Sequence, residues 1–217
     1  LMAITGPAGG PPTRAGSAMG DILGGLHLTI GILAAVNARN ITGLGQRVDI
    51  SLMDAVIAAT ENTAIKYLES GVIPPRMGNR YAAVSPYDAF SVKDGKIIIA
   101  AGNQKLYEKL CTEILNRPDM ITDPRFTDMP GRLEHQDAIK EVIEEVLADK
   151  TMDEAVEWIL SKGIPAGPIY DISQIIRDPQ VKDREMFVEM EHPTLGHITV
   201  NGCAVKLEET KPSVRTP

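Results

Sequence analysis

The apolar and polar positions divide the chain into an apolar first part and a more regular second part. From Ile22 to about Ala38, apolar residues fall on nearly every face of a helix, which predicts a helix buried all round. Gly24, Gly25 and Gly31 interrupt it, and each costs roughly 1 kcal/mol relative to alanine, so we expect a backbone or a ligand close by. The apolar run is shorter than the roughly 18 residues typical of a membrane span, and we predict no membrane segment.

Further along, shorter patterns predict strands and one-sided helices. Alternation in "QRVDISL" predicts a short strand, and a helix is expected from about Met53 to Glu69, ended by Gly71. "YDAFSVKDGKIIIAAG" predicts a hairpin with an Asp-Gly turn, and "MFVEMEHPTLGHITVNGCAVKL" predicts short strands joined by turns. Three further helices are predicted at about Gln104–Leu115, at Leu133–Ala148 and, with the capping box Thr151 and Glu154, up to Leu160.

These elements predict an α/β protein whose present part is α+β: buried helices of a large domain plus a small α+β domain with short antiparallel strands. We divide the chain into a helical segment at 1–75, a small α+β domain at 76–178 and a strand-rich segment at 179–217 that returns toward the first. A hinge is expected at "GVIPPRMGN". Because the chain starts on Leu1 and stops at "SVRTP", we expect a fragment of a longer protein.

Composition narrows the function classes. A net charge of -7 and 4% aromatic residues argue against a nucleic-acid surface. Cys111 and Cys203 stand far apart with no neighbouring histidine cluster, which predicts a reduced, cytoplasmic protein with no Cys/His metal site. No secretory signal opens the chain.

Asp21 is the first candidate for chemistry, since it stands where the polar start meets the apolar helix. A carboxylate at a helix N-terminus is favoured in its ionised form by the unpaired N–H groups and the helix dipole. Gly20 before it, and Gly24 and Gly25 after it, leave open space, so the carboxylate has room to act as a nucleophile on an activated acyl group. Most aspartates in this position are helix caps, and the residues alone favour a cap over catalysis.

"RMGNRYAAVSPYDAF" is the second candidate. Gly78 predicts a loop, and Asn79 and Arg80 supply hydrogen-bond donors, as in a loop over an active site. A hinge with a surface arginine accounts for the pattern equally well.

The order of several motifs resembles the family III CoA-transferases, the group that includes formyl-CoA transferase, carnitine CoA-transferase and the bile-acid-inducible proteins. The similar stretches run across essentially the whole chain: "LMAITG", "GPPTRAGSAMGDILGGLHLTIGILAAV", "TGLGQRVDISLMDAV", "GNRYAAVSPYDAF", "DGKIIIAAGN", "DPRF", "GIPAGPIYDISQIIRDPQV" and "HPTLGHITVNGCAVKL". Each is weak alone, and together they are specific to the superfamily.

The resemblance implies that Asp21, in the "GD" motif, is the catalytic nucleophile, forming a mixed anhydride and then an aspartyl-CoA thioester. It implies acyl-CoA and a carboxylic acid as substrates, with no tightly bound cofactor and no metal. The expected contacts to substrate or CoA are Gly20, Gly24, Gly25, Gly78, Asn79 and Arg80.

The sequence also departs from the family pattern. Formyl-CoA transferase has a run of glycines in its active-site loop, where this chain has "GNRYAAVSP". The Rossmann-like N-terminal half that supplies most CoA contacts is missing, so we expect the fragment to be inactive alone, and the full-length protein to be a homodimer, as family members are. The alternatives are an α-methylacyl-CoA racemase of the same superfamily and a non-catalytic scaffold protein.

Overall fold

The computed structural model describes residues 1–214. Helices account for 44% of the residues and strands for 13%, and the small sheets are antiparallel, so the α+β prediction for this chain is confirmed. The contacts divide the chain into two compact units, one made of Leu1–Ala89 with Ala100–Glu141 and the other of Phe90–Ile99 with the residues from Val142 onward. The boundaries at residues 75 and 178 stay predictions.

The first segment is helical. A 3₁₀ turn at Met2–Ile4 precedes a long helix, α1, at Met19–Thr42, which ends at Gly43 in the left-handed conformation that favours glycine. Two shorter helices follow, at Leu52–Ala58 (α2) and Thr63–Ser70 (α3).

Two expectations for this segment are wrong. The stretch predicted as a strand, "QRVDISL", forms no strand pairing within residues 1–214 before α2 begins. The single helix predicted from Met53 to Glu69 is broken between α2 and α3, where Glu61 adopts a positive φ of 52°. A helix cannot continue through that backbone conformation.

Burial of α1 on all sides, which its apolar pattern predicts, is not seen within the described residues. Of its 24 residues only Gly24 is buried, and Ile30 and Leu33 are 64% and 63% exposed. The contacts of α1 lie along one side, against α2 and the extended segment before it. The other faces meet no covering element in residues 1–214.

The length of α1 also changes the membrane argument. With 24 residues and an 18-residue window of mean hydropathy 1.6, α1 is long and apolar enough to cross a membrane, although the apolar run alone was expected to be too short. Core helices of non-membrane proteins pass the same criterion.

The second part holds the strands. Three strands, β1 at Tyr87–Val92, β2 at Gly95–Ala100 and β3 at Ala166–Pro168, form a sheet in that order, with Ile98 of β2 opposite Gly167 of β3. A separate antiparallel pair consists of β4 at Phe187–His192 and β5 at Gly196–Asn201. The predicted strand pairs on either side of the Asp94-Gly95 turn and of "HPTLG" are confirmed, whereas within residues 1–214 no strand follows the predicted turn at "NG".

The remaining helices lie between β2 and β4 along the chain. They are α4 (Gln104–Lys109, continued by a π-helical turn at Leu110–Ile114), α5 (Asp119–Thr122), α6 (Met129–Glu134), α7 (Gln136–Leu147), α8 (Met152–Ser161), α9 (Ile172–Ile175) and α10 (Pro179–Asp183). The apolar stripe of α7 is buried at Ile139, Ile143 and Leu147. The predicted capping box of α8 is present, with Thr151 and Glu154 each bonded to the other's backbone N–H.

Candidate active site

Asp21 lies in the first turn of α1, but it is not the helix cap. The helix begins earlier than its apolar run, because Ile22 N–H already bonds to the Ala18 carbonyl at 3.1 Å. Ala18 therefore takes the N-cap position, with no side-chain capping bond, and Asp21 becomes the third helical residue. Its carboxylate is exposed and still stands at the positive end of the helix dipole.

The glycines around Asp21 have different surroundings. A Cβ on Gly24 would overlap Cδ2 of Leu52, whereas one on Gly20 would stand 3.7 Å from Cγ2 of Val56. Gly24 therefore lets α2 approach the helix closely. A Cβ on Gly25 would meet no atom within 4 Å.

The open position at Gly25 lies beside Asp21. Residues four apart are neighbours on one helix face, and a helical side chain leans toward the N-terminus, over the preceding turn. A larger residue at position 25 would therefore cover the turn that carries Asp21. Glycine at this position leaves one side of the carboxylate uncovered.

Asp54 offers an internal comparison. It is the third residue of α2, as Asp21 is of α1, and it is also exposed. Its helix, however, has a side-chain cap from Ser51, and the residue four positions on is Ala58 rather than glycine. Position in the first turn is common to both aspartates, whereas the neighbouring open space is a feature of Asp21.

A groove borders the same face of α1. It has a volume of about 370 Å³ and runs between the helix and the extended segment that precedes α2. Its lining includes Gly24, Gly25, Leu28, Val48, Ile50 and Leu52. Predicted contact residues Gly24 and Gly25 thus lie on one groove wall, one turn from Asp21.

The second predicted group forms a tight turn. Arg80 N–H bonds to the Met77 carbonyl at 3.3 Å, and Gly78 has a φ of 67°, a conformation that favours glycine. The amide of Gly78 bonds to the carbonyl of Gly6 at 2.9 Å, which ties the turn to the N-terminal segment. Asn79 is exposed between these two attachments.

Arg80 is held by two carboxylates. Its Nε lies 3.4 Å from Asp88 Oδ2, and its Nη2 donates to Asp137. Partial burial disfavours the charged guanidinium, but the hydrogen bonds and charges of Asp137 and Asp88 outweigh that effect and raise the pKa of Arg80. Lys140 Nζ also contacts Asp88 Oδ2, at 2.8 Å.

The two predicted groups line separate cavities. Gly78 and Arg80 border a cavity of about 260 Å³ together with Lys66 and the start of α3, whereas Gly24 and Gly25 border the groove along α1. The sequence does not identify Asp88, Asp137 and Lys140 as a group, because their contacts with one another and with Arg80 span 8 to 57 residues and no local motif marks them.

Within residues 1–214, no group of three or more His, Cys, Asp and Glu side chains is arranged to hold a metal ion. Cys111 is buried and Cys203 is exposed, and both are free thiols.

Comparison with known proteins assigns the class. The sequence model of CoA-transferase family III matches residues 1–217, and the chain belongs to that family. A relative from Haloarcula hispanica, named succinyl-CoA:mesaconate CoA-transferase, is 36% identical over 98% of this chain and 53% of its own. Human succinyl-CoA:glutarate CoA-transferase is 32% identical over 100% of this chain and 49% of its own, and an Acetobacter aceti acetyl-CoA:oxalate CoA-transferase is 32% identical over 95% and 52%.

Solved structures agree on the fold. A CaiB/BaiF family protein from Brucella suis superposes with a TM-score of 0.78 at 32% identity, covering 100% of this chain and 56% of its own. Rv3272 from Mycobacterium tuberculosis superposes with a TM-score of 0.83 at 24% identity, over 100% and 57%, a likeness of fold alone. The chain spans about half the length of the curated relatives that it matches.

Proposed function

We propose that this chain carries the nucleophile of an enzyme that transfers coenzyme A from an acyl-CoA thioester to a free carboxylic acid, and that the nucleophile is Asp21. The observation that carries the proposal is an exposed carboxylate in the first turn of α1, beside the open position at Gly25. Membership of CoA-transferase family III and the names of the relatives support the reaction class.

The reaction needs two exchanges at one carboxylate. An oxygen of Asp21 attacks the donor thioester carbonyl, the C–S bond breaks, and a mixed anhydride and CoA thiolate result. The thiolate then attacks the aspartyl carbonyl of the anhydride, which releases the donor acid and leaves an aspartyl-CoA thioester.

The second exchange reverses these steps with the acceptor. The acceptor carboxylate attacks the aspartyl thioester, giving a second mixed anhydride and CoA thiolate. Attack of the thiolate on the acceptor's acyl carbon forms the new acyl-CoA and restores the Asp21 carboxylate. CoA enters and leaves as a substrate, so the proposal requires no tightly bound cofactor.

The surroundings of Asp21 suit this chemistry. Asp21 is exposed in the first turn of α1, where an incoming thioester can reach its oxygens. The bare backbone at Gly25 leaves room on the same face for the thioester. Gly24 allows close contact with α2. Gly20 is proposed as a further contact to the substrate, and Gly78, Asn79 and Arg80 as a loop over the site.

The names of the relatives support a proposal for the substrate class. Their names give succinyl-CoA, mesaconate, glutarate and oxalate among donors and acceptors. The second partner in each of these names, mesaconate, glutarate or oxalate, is a dicarboxylic acid, whereas the thioesters include acetyl-CoA, and we propose that the acceptor here is a short dicarboxylic acid. A panel of monocarboxylic and dicarboxylic acids, tested with one acyl-CoA donor, measures this preference directly.

The remaining proposals concern the whole protein. We infer that residues 1–217 do not catalyse CoA transfer alone, because the curated relatives that they match are about twice as long. We also propose that the whole protein works in the cytoplasm as a homodimer. Its domain boundaries in this part of the chain are proposed as 1–75, 76–178 and 179–217. Transferase activity from purified residues 1–217, with acyl-CoA and an acceptor acid, would overturn the first inference.

A substitution tests the nucleophile. In the protein expressed from its complete reading frame, Asp21→Asn keeps the size of the side chain and removes its nucleophilic oxygen. We expect kcat to fall by at least about 1,000-fold, since the other catalytic groups cannot replace the covalent step.

Asp54→Asn is the matched control, because Asp54 has the same position in α2 and the same exposure. It should leave kcat within about twofold, as expected of an exposed surface change. If CoA transfer survives Asp21→Asn, Asp21 is not the nucleophile and its role is non-catalytic. If the unaltered protein exchanges the α-proton of a 2-methylacyl-CoA without transferring CoA, it is a racemase.

A further inference from the structure

Two nitrogens of the Arg80 guanidinium group are each bonded to a carboxylate. Its Nε faces Asp88 and its Nη2 donates to Asp137, one acid from β1 and the other from the first turn of α7. The Arg80 side chain is only 22% exposed. A guanidinium in this arrangement has its charge compensated before any ligand arrives.

Asp88 forms the buried end of this network. Its side chain is 10% exposed, its Oδ1 accepts from Ala89 N–H at 2.7 Å, and its Oδ2 accepts from Lys140 Nζ at 2.8 Å. Lys140 Nζ also donates to the Ala89 carbonyl at 2.6 Å. A carboxylate with these partners is fixed in place, so it gives Arg80 a fixed attachment.

We propose that Arg80 is a positioning residue that anchors the Gly78–Arg80 turn to β1 and α7, rather than a cation that binds a phosphate or carboxylate of the substrate. Only the expected effect of Arg80 on catalysis rests on the proposed function. The anchoring itself is a property of the fold.

The turn is then held at two points. Gly78 N–H is bonded to the Gly6 carbonyl on one side, and the Arg80 side chain is bonded to the two acids on the other. Asn79 lies between them with its side chain exposed. The arrangement leaves Asn79 as the residue of the turn that is presented to a ligand.

Two variants and a control test the anchor, with hydrogen exchange as the first readout. Arg80→Gln removes both contacts, and Asp137→Asn weakens one of them at an exposed position where folding is not at risk. Glu141→Gln removes a charge one turn further along α7 at an exposed residue that makes no ion pair within residues 1–214.

We expect the Gly78 and Arg80 amides to exchange about tenfold faster in Arg80→Gln and about threefold faster in Asp137→Asn, with no change in Glu141→Gln. Unchanged exchange in both variants would overturn the anchoring role. Because this measurement needs no activity, it stands even if the proposed transferase function fails.

Kinetics separate an anchor from a substrate ligand. Using an acyl-CoA and the matching acyl-pantetheine, which lacks the nucleotide phosphates, an anchor predicts a similar fall in kcat for both donors in Arg80→Gln. Asp137→Asn should lower kcat in the same direction by a smaller factor. A rise in KM confined to the acyl-CoA, with kcat unchanged, would instead make Arg80 a phosphate ligand and overturn the proposal.

Discussion

Helices α1 and α7 differ in how their apolar residues meet the rest of the chain. In α7 the apolar positions form one stripe, and Ile143 in that stripe is 0% exposed. In α1 they cover nearly all faces, and Leu33 remains 63% exposed. A one-sided apolar stripe predicts both the helix and a surface in the same chain that packs against it. A helix that is apolar on all faces predicts packing partners on every side, and residues 1–214 provide them on one side of α1 only.

The largest expected effect is the difference in stability cost between truncating an apolar side chain in α7 and truncating one in α1. In the 217-residue chain, Ile143→Ala should lower the free energy of unfolding by about 2–5 kcal/mol, because it leaves a cavity in a packed core. Leu33→Ala should change it by less than about 0.5 kcal/mol, since the side chain has little to lose. Urea denaturation followed by circular dichroism measures both, and equal costs would contradict the difference described above.

The helix ends give a smaller difference. Thr151→Ala removes the capping box of α8 and should cost about 1 kcal/mol. Ala18→Gly at the uncapped start of α1 should change stability by only a few tenths of a kcal/mol, since no side-chain bond is lost. Equal costs at positions 18 and 151 would contradict the difference between the two helix ends.

Gly25 links stability to function. Because a Cβ at this position meets no atom, Gly25→Ala should stabilise α1 by up to about 1 kcal/mol through helix propensity. Gly24→Ala should gain less, since its Cβ would displace the Leu52 side chain. In the protein from the complete reading frame, larger residues at position 25, such as Gly25→Leu, should reduce transfer. Full activity in Gly25→Leu would remove the proposed role of the open space.

The smallest effect concerns a local ion pair outside α1. A side-chain hydrogen bond from Arg125 lowers the pKa of Asp123 to about 2. A lowered folded-state pKa means that the stabilisation is present above the unfolded value of about 4 and is lost as the pH falls through about 2. An NMR titration of the Asp123 carboxyl carbon should give that midpoint, and Arg125→Ala should return it toward about 4. A midpoint near 4 in the unaltered chain would mean that the pair does not form.

Local features of the fold could be predicted from the sequence, because the residues that determine them are neighbours. The α8 capping box and the Asp94-Gly95 turn follow from a few adjacent residues. The break between α2 and α3 could not, since it depends on a positive φ at Glu61, a residue with no such preference. The predicted cap at Asp21 failed because the first turn of α1 begins before the apolar pattern does.

The candidate site likewise contains residues that local sequence identifies and residues that it does not. Asp21 and Gly25 were identifiable because a helix brings residues four apart together. The attachment of Arg80 to Asp88 and Asp137 could not be identified from the sequence, because it joins separate elements through tertiary contacts. A lone arginine in a polar loop has the same sequence pattern whether it binds a ligand or anchors the loop.

The most direct test of the account is to trap the covalent intermediate. The protein from the complete reading frame is incubated with acyl-CoA and no acceptor, treated with hydroxylamine and digested for mass spectrometry. We expect a hydroxamate on Asp21 that depends on acyl-CoA, with Asp54 unmodified. Rapid CoA transfer on addition of an acceptor, without any acyl-CoA-dependent modification of Asp21, would contradict it.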